Sequence, residues 1–183
     1  MQPLTRFLAT TVGMEQEMFV SLFTHPFVVT SKRHLQKIQS LNKADFPLQN
    51  QDRFSTMISN VRSNKMEKDW LRAAWICPIK KEGGGEMQMV NLGRTSNNDI
   101  VIPLPVVSKF HCCFIIYGPG EVYMIDGGST NGTFLTDIKM TPNEKTPLKS
   151  GDLIRFGSQL EFEFYFPTEL WSELSSFSAI LSG

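Results

Sequence analysis

Few cysteines, no long apolar run and no surplus of either charge mark this 183-residue chain. Its three cysteines, Cys77, Cys112 and Cys113, are an odd number, and two are adjacent. Neighbouring strand positions point to opposite faces, so the pattern fits reduced thiols rather than a disulfide framework. No stretch approaches the roughly 20 apolar residues that span a bilayer. Residues 1–20 lack the charged start, apolar block and small-residue cleavage site of a secretion signal. Eighteen basic and eighteen acidic residues cancel, so no bulk field favours nucleic acid or a membrane surface. The expectation is a cytoplasmic protein with no membrane insertion and no nucleic-acid partner. Catalytic sets are missing too. His25, His34 and His111 stand in unrelated contexts, no nucleophile–base–orienter set is evident, and no Cys/His spacing suits zinc. The reading is a non-enzyme without metal or cofactor.

The hydropathy period divides what is present. Within residues 1–69 the apolar positions fall on helical stripes, first Met14, Met18, Phe19 and Leu22. Thr24-His25-Pro26 stops that helix, because the residue before proline is pushed out of helical geometry. Ser31 can cap a second helix through Leu35, Ile38 and Leu41, and residues 52–66 carry a third stripe of Phe54, Met57, Ile58 and Val61. Such stripes are packing faces, so residues 1–69 read as a helical N-terminal extension that docks on the next domain or on a partner.

From Trp70 the period becomes two, with Leu71, Ala73, Trp75, Cys77 and Ile79 alternating with their neighbours. Glu82-Gly83-Gly84-Gly85 reads as a hairpin turn, since it lacks the Lys-Ser/Thr pair and helix of a nucleotide loop. Short strands are expected at 87–92, 100–102, 111–117, 121–125, 133–135, 152–156 and 159–166. Many short strands between turn signals indicate a mainly β sandwich or barrel over residues 70–166. In residues 167–183, Thr168 can cap a C-terminal helix with Leu170, Trp171, Leu174 and Phe177 as its apolar face.

Three motifs at strand mouths describe a phosphate pocket. They are Gly93-Arg94, Ser108-Lys109-Phe110-His111 and Ser129-Thr130-Asn131-Gly132-Thr133. Arginine offers a planar fork of donors matched to phosphate oxygens, and lysine a compact charge. Ser108 puts a hydroxyl beside the Lys109 ammonium. Taken singly each has a plainer reading: Arg94 and Lys109 as solvated charges, Ser108 as a turn residue, Asn131-Gly132 as a tight turn.

Their order, followed by Leu148-Lys149-Ser150-Gly151-Asp152-Leu153-Ile154-Arg155-Phe156-Gly157, resembles a forkhead-associated (FHA) domain over about residues 70–166. The resemblance implies a β-sandwich of short, mostly antiparallel strands that reads phosphothreonine peptides. By position it implies that Arg94 contacts phosphate and peptide backbone, that Ser108 and Lys109 bind phosphate, and that Thr130 reaches the phosphate or its loop. Asn131 is then expected to pair with the main chain after the phosphothreonine. Gly93, His111 and Gly132 support the site, and Asp99 braces its loop. The implied partner is a phosphothreonine-containing protein, with a functional link to a Ser/Thr kinase. In some members of the family the loop before Ser108 carries a charged residue that selects downstream side chains. Here that position is Val106, between stiffening prolines Pro103 and Pro105, so an apolar preference or none is expected. The competing reading is a phosphate-independent scaffold or oligomerisation module built from sandwich and extension. A third is an internal ligand, phosphorylated at Thr10 or Thr11.

Overall fold

The structure is a computed structural model that describes residues 1–31, 70–81, 83, 87–158 and 160–182. Along the chain run β1 (Gln2–Pro3), α1 (Leu4–Thr11), α2 (Gln16–Leu22), β2 (Phe27–Thr30) and β3 (Trp75–Pro78). Then come β4 (Gln88–Gly93), β5 (Ile100–Val101), β6 (Cys112–Gly118), β7 (Glu121–Asp126) and β8 (Thr133–Leu135). Short strands β9 (Ile138–Lys139) and β10 (Lys145–Pro147) precede β11 (Leu153–Phe156), β12 (Leu160–Tyr165) and a C-terminal helix, Pro167–Ser182. The strands form two sheets, ordered β1-β3-β2-β12-β11-β8-β9 and β10-β7-β6-β4-β5. All pairings are antiparallel except β4 with β5.

Alternation builds the interior. Val90, Phe114 and Met124 lie in register across β4, β6 and β7, and all three point into the space between the sheets. Cys112, Phe114 and Ile116 share that inner face, as the strand period requires. The seven-stranded sheet is apolar on both sides. Val28, Cys77 and Phe164 face the sandwich core, whereas Phe27, Val29, Ile76 and Tyr165 face a second core with α1, α2 and the C-terminal helix. Phe7, Phe19, Phe23 and Phe27 form a chain of rings there, with successive centroids 4.6–6.3 Å apart. Leu170, Leu174 and Phe177 close the layer, and the Trp171 indole donates to the Met14 carbonyl at 3.1 Å.

Several expectations change. Residues 1–69 are not only helical. Phe27–Thr30 is a strand inserted between β3 and β12, pairing with both. Its run of Phe and Val after Pro26 is a strand signal, but four residues are too short to stand out beside helical stripes. Residues 70–73 are helical rather than strand, and Trp70 and Leu71 pack into the second core. Short alternating runs are compatible with either state. The strands on either side of Glu82-Gly83-Gly84-Gly85 do not form a hairpin, because β3 and β4 belong to different sheets. The C-terminal helix begins at Pro167, which suits a first helical position, and Thr168 lies inside it. The helix expected after Ser31 and the one at 52–66 lie outside the described residues. Strands β1, β9 and β10 carry two or three residues each, below what periodicity can register.

Because β2 has a neighbour on each side and packs into both cores, its loss should affect the whole molecule. Phe27→Ala is expected to cost about 3–5 kcal/mol of unfolding free energy in a urea titration. A loss under about 1 kcal/mol would contradict an integral place for β2.

Candidate phosphate-binding site

The three motifs sit at one end of the five-stranded sheet, where β4 ends, β6 begins and β7 ends. Arg94 leaves β4, and its backbone N–H donates to the Ser108 carbonyl at 2.8 Å. That bond ties the first loop to the second. Gly93 permits their approach: a Cβ there would lie 2.2 Å from the Lys109 carbonyl oxygen and 2.6 Å from Asn98 Nδ2. The Lys109 carbonyl is itself held by Thr95 Oγ1 at 2.9 Å and Asn98 Nδ2 at 2.8 Å. Thr95 and Asn98 are scaffold residues; Asn98 fits the family's pattern in the sequence, and neither was assigned a role there. Asp99 accepts the Asn91 N–H at 2.8 Å and lies 3.5 Å from Lys81 Nζ.

The second and third loops are joined by the Ser108 hydroxyl. Its oxygen accepts the Thr130 N–H at 3.0 Å and lies 3.4 Å from Thr130 Oγ1. Behind it, His111 is fully buried against the Phe156 ring, and its Nδ1 accepts the Ser108 N–H at 3.0 Å. The His111 N–H donates to the Leu92 carbonyl, and the His111 carbonyl accepts from Gly127. His111 therefore positions the loop and does not face the opening. The third loop turns on Gly132, whose φ of +77° lies in the left-handed region that favours glycine. Asn131 Nδ2 donates to the Val106 carbonyl at 2.9 Å, which leaves its Oδ1 as an acceptor. The β7 and β8 strands that flank Asn131-Gly132 lie in different sheets, so the turn is not a hairpin.

Asp126 anchors this loop from below. Its carboxylate accepts the Ser129 and Thr133 hydroxyls and the Gly128 and Ser129 N–H groups. Ser129 thus points inward, away from the opening. Burial alone would raise the Asp126 pKa, but the hydrogen bonds from Ser129 and Thr133 outweigh it and hold the carboxyl below its ordinary range. Burial lowers the His111 pKa, and the pull of the Asp126 carboxylate does not offset it.

Arg94, Ser108, Lys109, Thr130 and Asn131 line a single cavity of about 410 Å³, with Phe110 and Gly128 beside them. Among the described residues, no carboxylate pairs with the Arg94 guanidinium or the Lys109 ammonium. Two unneutralised cations and two hydroxyls facing one opening suit a phosphate dianion. Phe110 was part of the motif without an assigned role; here it is an exposed aromatic wall. Among the described residues, no group of three or more His, Cys, Asp or Glu could hold a metal ion, and no helix is long and apolar enough to cross a membrane.

Both depressed pKa values act in the same direction. Unfolded His111 takes up a proton below about pH 6.5, whereas the buried ring resists it, so stability should fall as pH drops from 7 to 5. Asp126 adds a further loss at lower pH, as its hydrogen-bonded carboxylate is protonated. Melting temperatures across that range should show the decline, and His111→Gln should flatten the part between pH 7 and 5. A flat profile in the unaltered protein would contradict the buried neutral ring.

Comparison with known proteins places this geometry. The FHA domain model matches residues 90–157. The chain is similar to the E3 ubiquitin-protein ligase DMA2 of Saccharomyces cerevisiae, with 29% identity over 94 residues, covering 43% of the chain and 18% of the relative. It is also similar to the chloroplastic zeaxanthin epoxidase of Arabidopsis thaliana, with 39% identity over 70 residues, 36% of the chain and 10% of the relative. The chain thus spans less than a fifth of the curated relatives it matches. Among solved structures, the N-terminal FHA domain of Saccharomyces cerevisiae Rad53p, bound to a phosphothreonine peptide, has a TM-score of 0.45 at 20% identity, covering 52% of this chain and 87% of that one. The MEK1 FHA domain, bound to a phosphothreonine HOP1 peptide, has a TM-score of 0.41 at 26% identity, covering 50% and 88%. The FHA domain model thus spans all three loops of the site.

Proposed function

We propose that the chain is a phosphothreonine-peptide reader that joins two proteins when one of them is phosphorylated. The observation that carries this is the convergence of Arg94, Ser108, Lys109, Thr130 and Asn131 on one cavity whose two cations have no carboxylate partner among the described residues. Phosphorylation gives a threonine nearly two negative charges and three strong acceptor oxygens. Arg94 supplies a fork of donors for two of those oxygens, and Lys109 supplies charge without fixed geometry. The Thr130 N–H occupies a lone pair of Ser108 Oγ, and the Ser108 hydroxyl, which donates to Thr130 Oγ1 at a long 3.4 Å, can turn its proton to the phosphate. Asn131, having given Nδ2 to the Val106 carbonyl, keeps Oδ1 to accept a main-chain N–H of the ligand. Unmodified threonine engages none of the charged groups. The role is binding rather than catalysis, and the phosphate comes from a Ser/Thr kinase acting on the partner.

That partner is a separate chain in this reading. Thr10 and Thr11 lie in α1 with their hydroxyls on the Phe7 carbonyl, and Thr11 is buried. Either could enter the socket only if α1 unfolded.

Calorimetry with phosphothreonine peptides, beside unphosphorylated and phosphoserine versions, tests the proposal. A charged hydrogen bond is worth about 1.5–3 kcal/mol, so Arg94→Ala should weaken phosphopeptide binding roughly ten- to a hundredfold. Undiminished binding by that variant would refute the assignment.

A further inference from the structure

Two of the chain's ten prolines follow a threonine, in Thr141-Pro142 and Thr146-Pro147. Proline lacks an N–H and fixes φ, the features by which a proline-directed kinase selects the residue after its phosphoacceptor. The fold separates the two pairs. Thr146 lies in β10 opposite Met124, whose side chain points between the sheets, so Thr146 faces inward and its backbone is tied to β7. Thr141 stands in the connection from β9 to β10, where residues 141–145 are all exposed. Among the described residues, its hydroxyl has no hydrogen-bond partner. A kinase must draw the acceptor segment into its cleft, which an exposed turn permits and a paired strand resists.

That turn is built onto the phosphate socket. The Glu144 N–H donates to the Thr141 carbonyl at 3.3 Å and Asn143 takes a φ of +63°, the pattern of a type II turn with Pro142 at its second position. The Asn143 N–H donates to the Asp126 carbonyl at 2.8 Å, and the Met140 N–H donates to the Thr133 carbonyl at 2.9 Å. Asp126 and Thr133 are the pair whose side chains join to brace the third loop of the site. Lys139, just before the turn, lies against that loop: a Cβ built on Gly132 would be 2.9 Å from its Cε and 3.7 Å from its Nζ.

We propose that Thr141 is a phosphorylation site for a proline-directed Ser/Thr kinase, and that its phosphate weakens ligand binding at the socket. The reaction moves the γ-phosphoryl group of ATP. A bond forms from phosphorus to Thr141 Oγ1, the bond to the β-phosphate oxygen breaks, ADP leaves, and the hydroxyl proton passes to the kinase's catalytic carboxylate. The product carries nearly two negative charges at the first position of a turn whose fourth position is Glu144. Repulsion between them opens the turn and slackens the bonds that Asn143 and Met140 make to Asp126 and Thr133. The new dianion also attracts the Lys139 ammonium and lowers the positive field beside Gly132, where an incoming phosphopeptide meets it. Both effects act against binding. The coupling rests on the phosphothreonine reading; the acceptor site does not.

The test incubates the full chain with ATP and a purified mitogen-activated protein kinase and locates the phosphate by mass spectrometry. Calorimetry then compares the modified and unmodified chains against one phosphothreonine peptide. Phosphate is expected on Thr141 and not on Thr146, with Thr141→Ala unlabelled and Thr146→Val labelled like the unaltered chain. The modified chain should bind the peptide roughly three- to tenfold more weakly. Thr141→Ala, treated alike, should keep the affinity of the unmodified chain. Phosphate on Thr146, or none on Thr141, overturns the proposal, and so does phosphate on Thr141 with affinity unchanged or raised. If Thr146→Val does not fold, the mapped position in the unaltered chain decides. Absence of phosphopeptide binding by the unmodified chain overturns the reader function and the coupling with it, while phosphate mapped to Thr141 still supports the acceptor site.

Discussion

The Ser108 loop is held from three sides, and the site depends on that restraint. The Arg94 N–H grips its carbonyl, the Thr130 N–H grips its hydroxyl oxygen, and the His111 ring accepts its N–H from inside the core. Each bond alone is worth about 1 kcal/mol net. Together they fix the Ser108 hydroxyl and the backbone from which the Lys109 and Arg94 side chains project before any ligand arrives. A preorganised set avoids the ordering cost that a flexible loop would incur on binding.

The layers beneath explain why the loops can be rigid. Phe156, which packs on His111, belongs to the core between the sheets, so the brace is anchored in that core. Asp126 does the same for the third loop, gathering its turn onto one buried carboxylate. The helical layer lies on the far face of the seven-stranded sheet, and β2 links it to the sandwich. Its contribution to the site is indirect. It buries the outer face of β2, β3 and β12 and so completes a sheet that would otherwise be apolar on an open side.

How much of this was legible in the sequence follows from the range of each interaction. The site motifs are local: Gly93-Arg94, Ser108-Lys109 and Thr130-Asn131 each sit on one loop, and residue chemistry plus order sufficed to single them out. Strands β4, β7, β11 and β12 were also readable from alternating runs of four or more residues, and β6 from an apolar run between turn signals. The insertion of β2 between β3 and β12 was not, since it pairs residues more than 130 positions apart and the segment itself is four residues long. The turn after β3 misled for a related reason: glycines mark a chain reversal but do not say which sheet receives the next strand. Thr141 and Thr146 illustrate the last limit. In sequence each is a threonine before a proline, and only the fold leaves the first exposed at a turn and points the second inward.

The most direct measurement of the central claim is the map of backbone amide chemical shifts during titration with a phosphothreonine peptide and with its unphosphorylated twin. The account predicts that the phosphorylated peptide moves the amides of Arg94, Ser108, Lys109, Thr130 and Asn131 in a saturable way, while the twin leaves them still. Shifts centred on α1, α2 or the C-terminal helix, or the same shifts with both peptides, would contradict it.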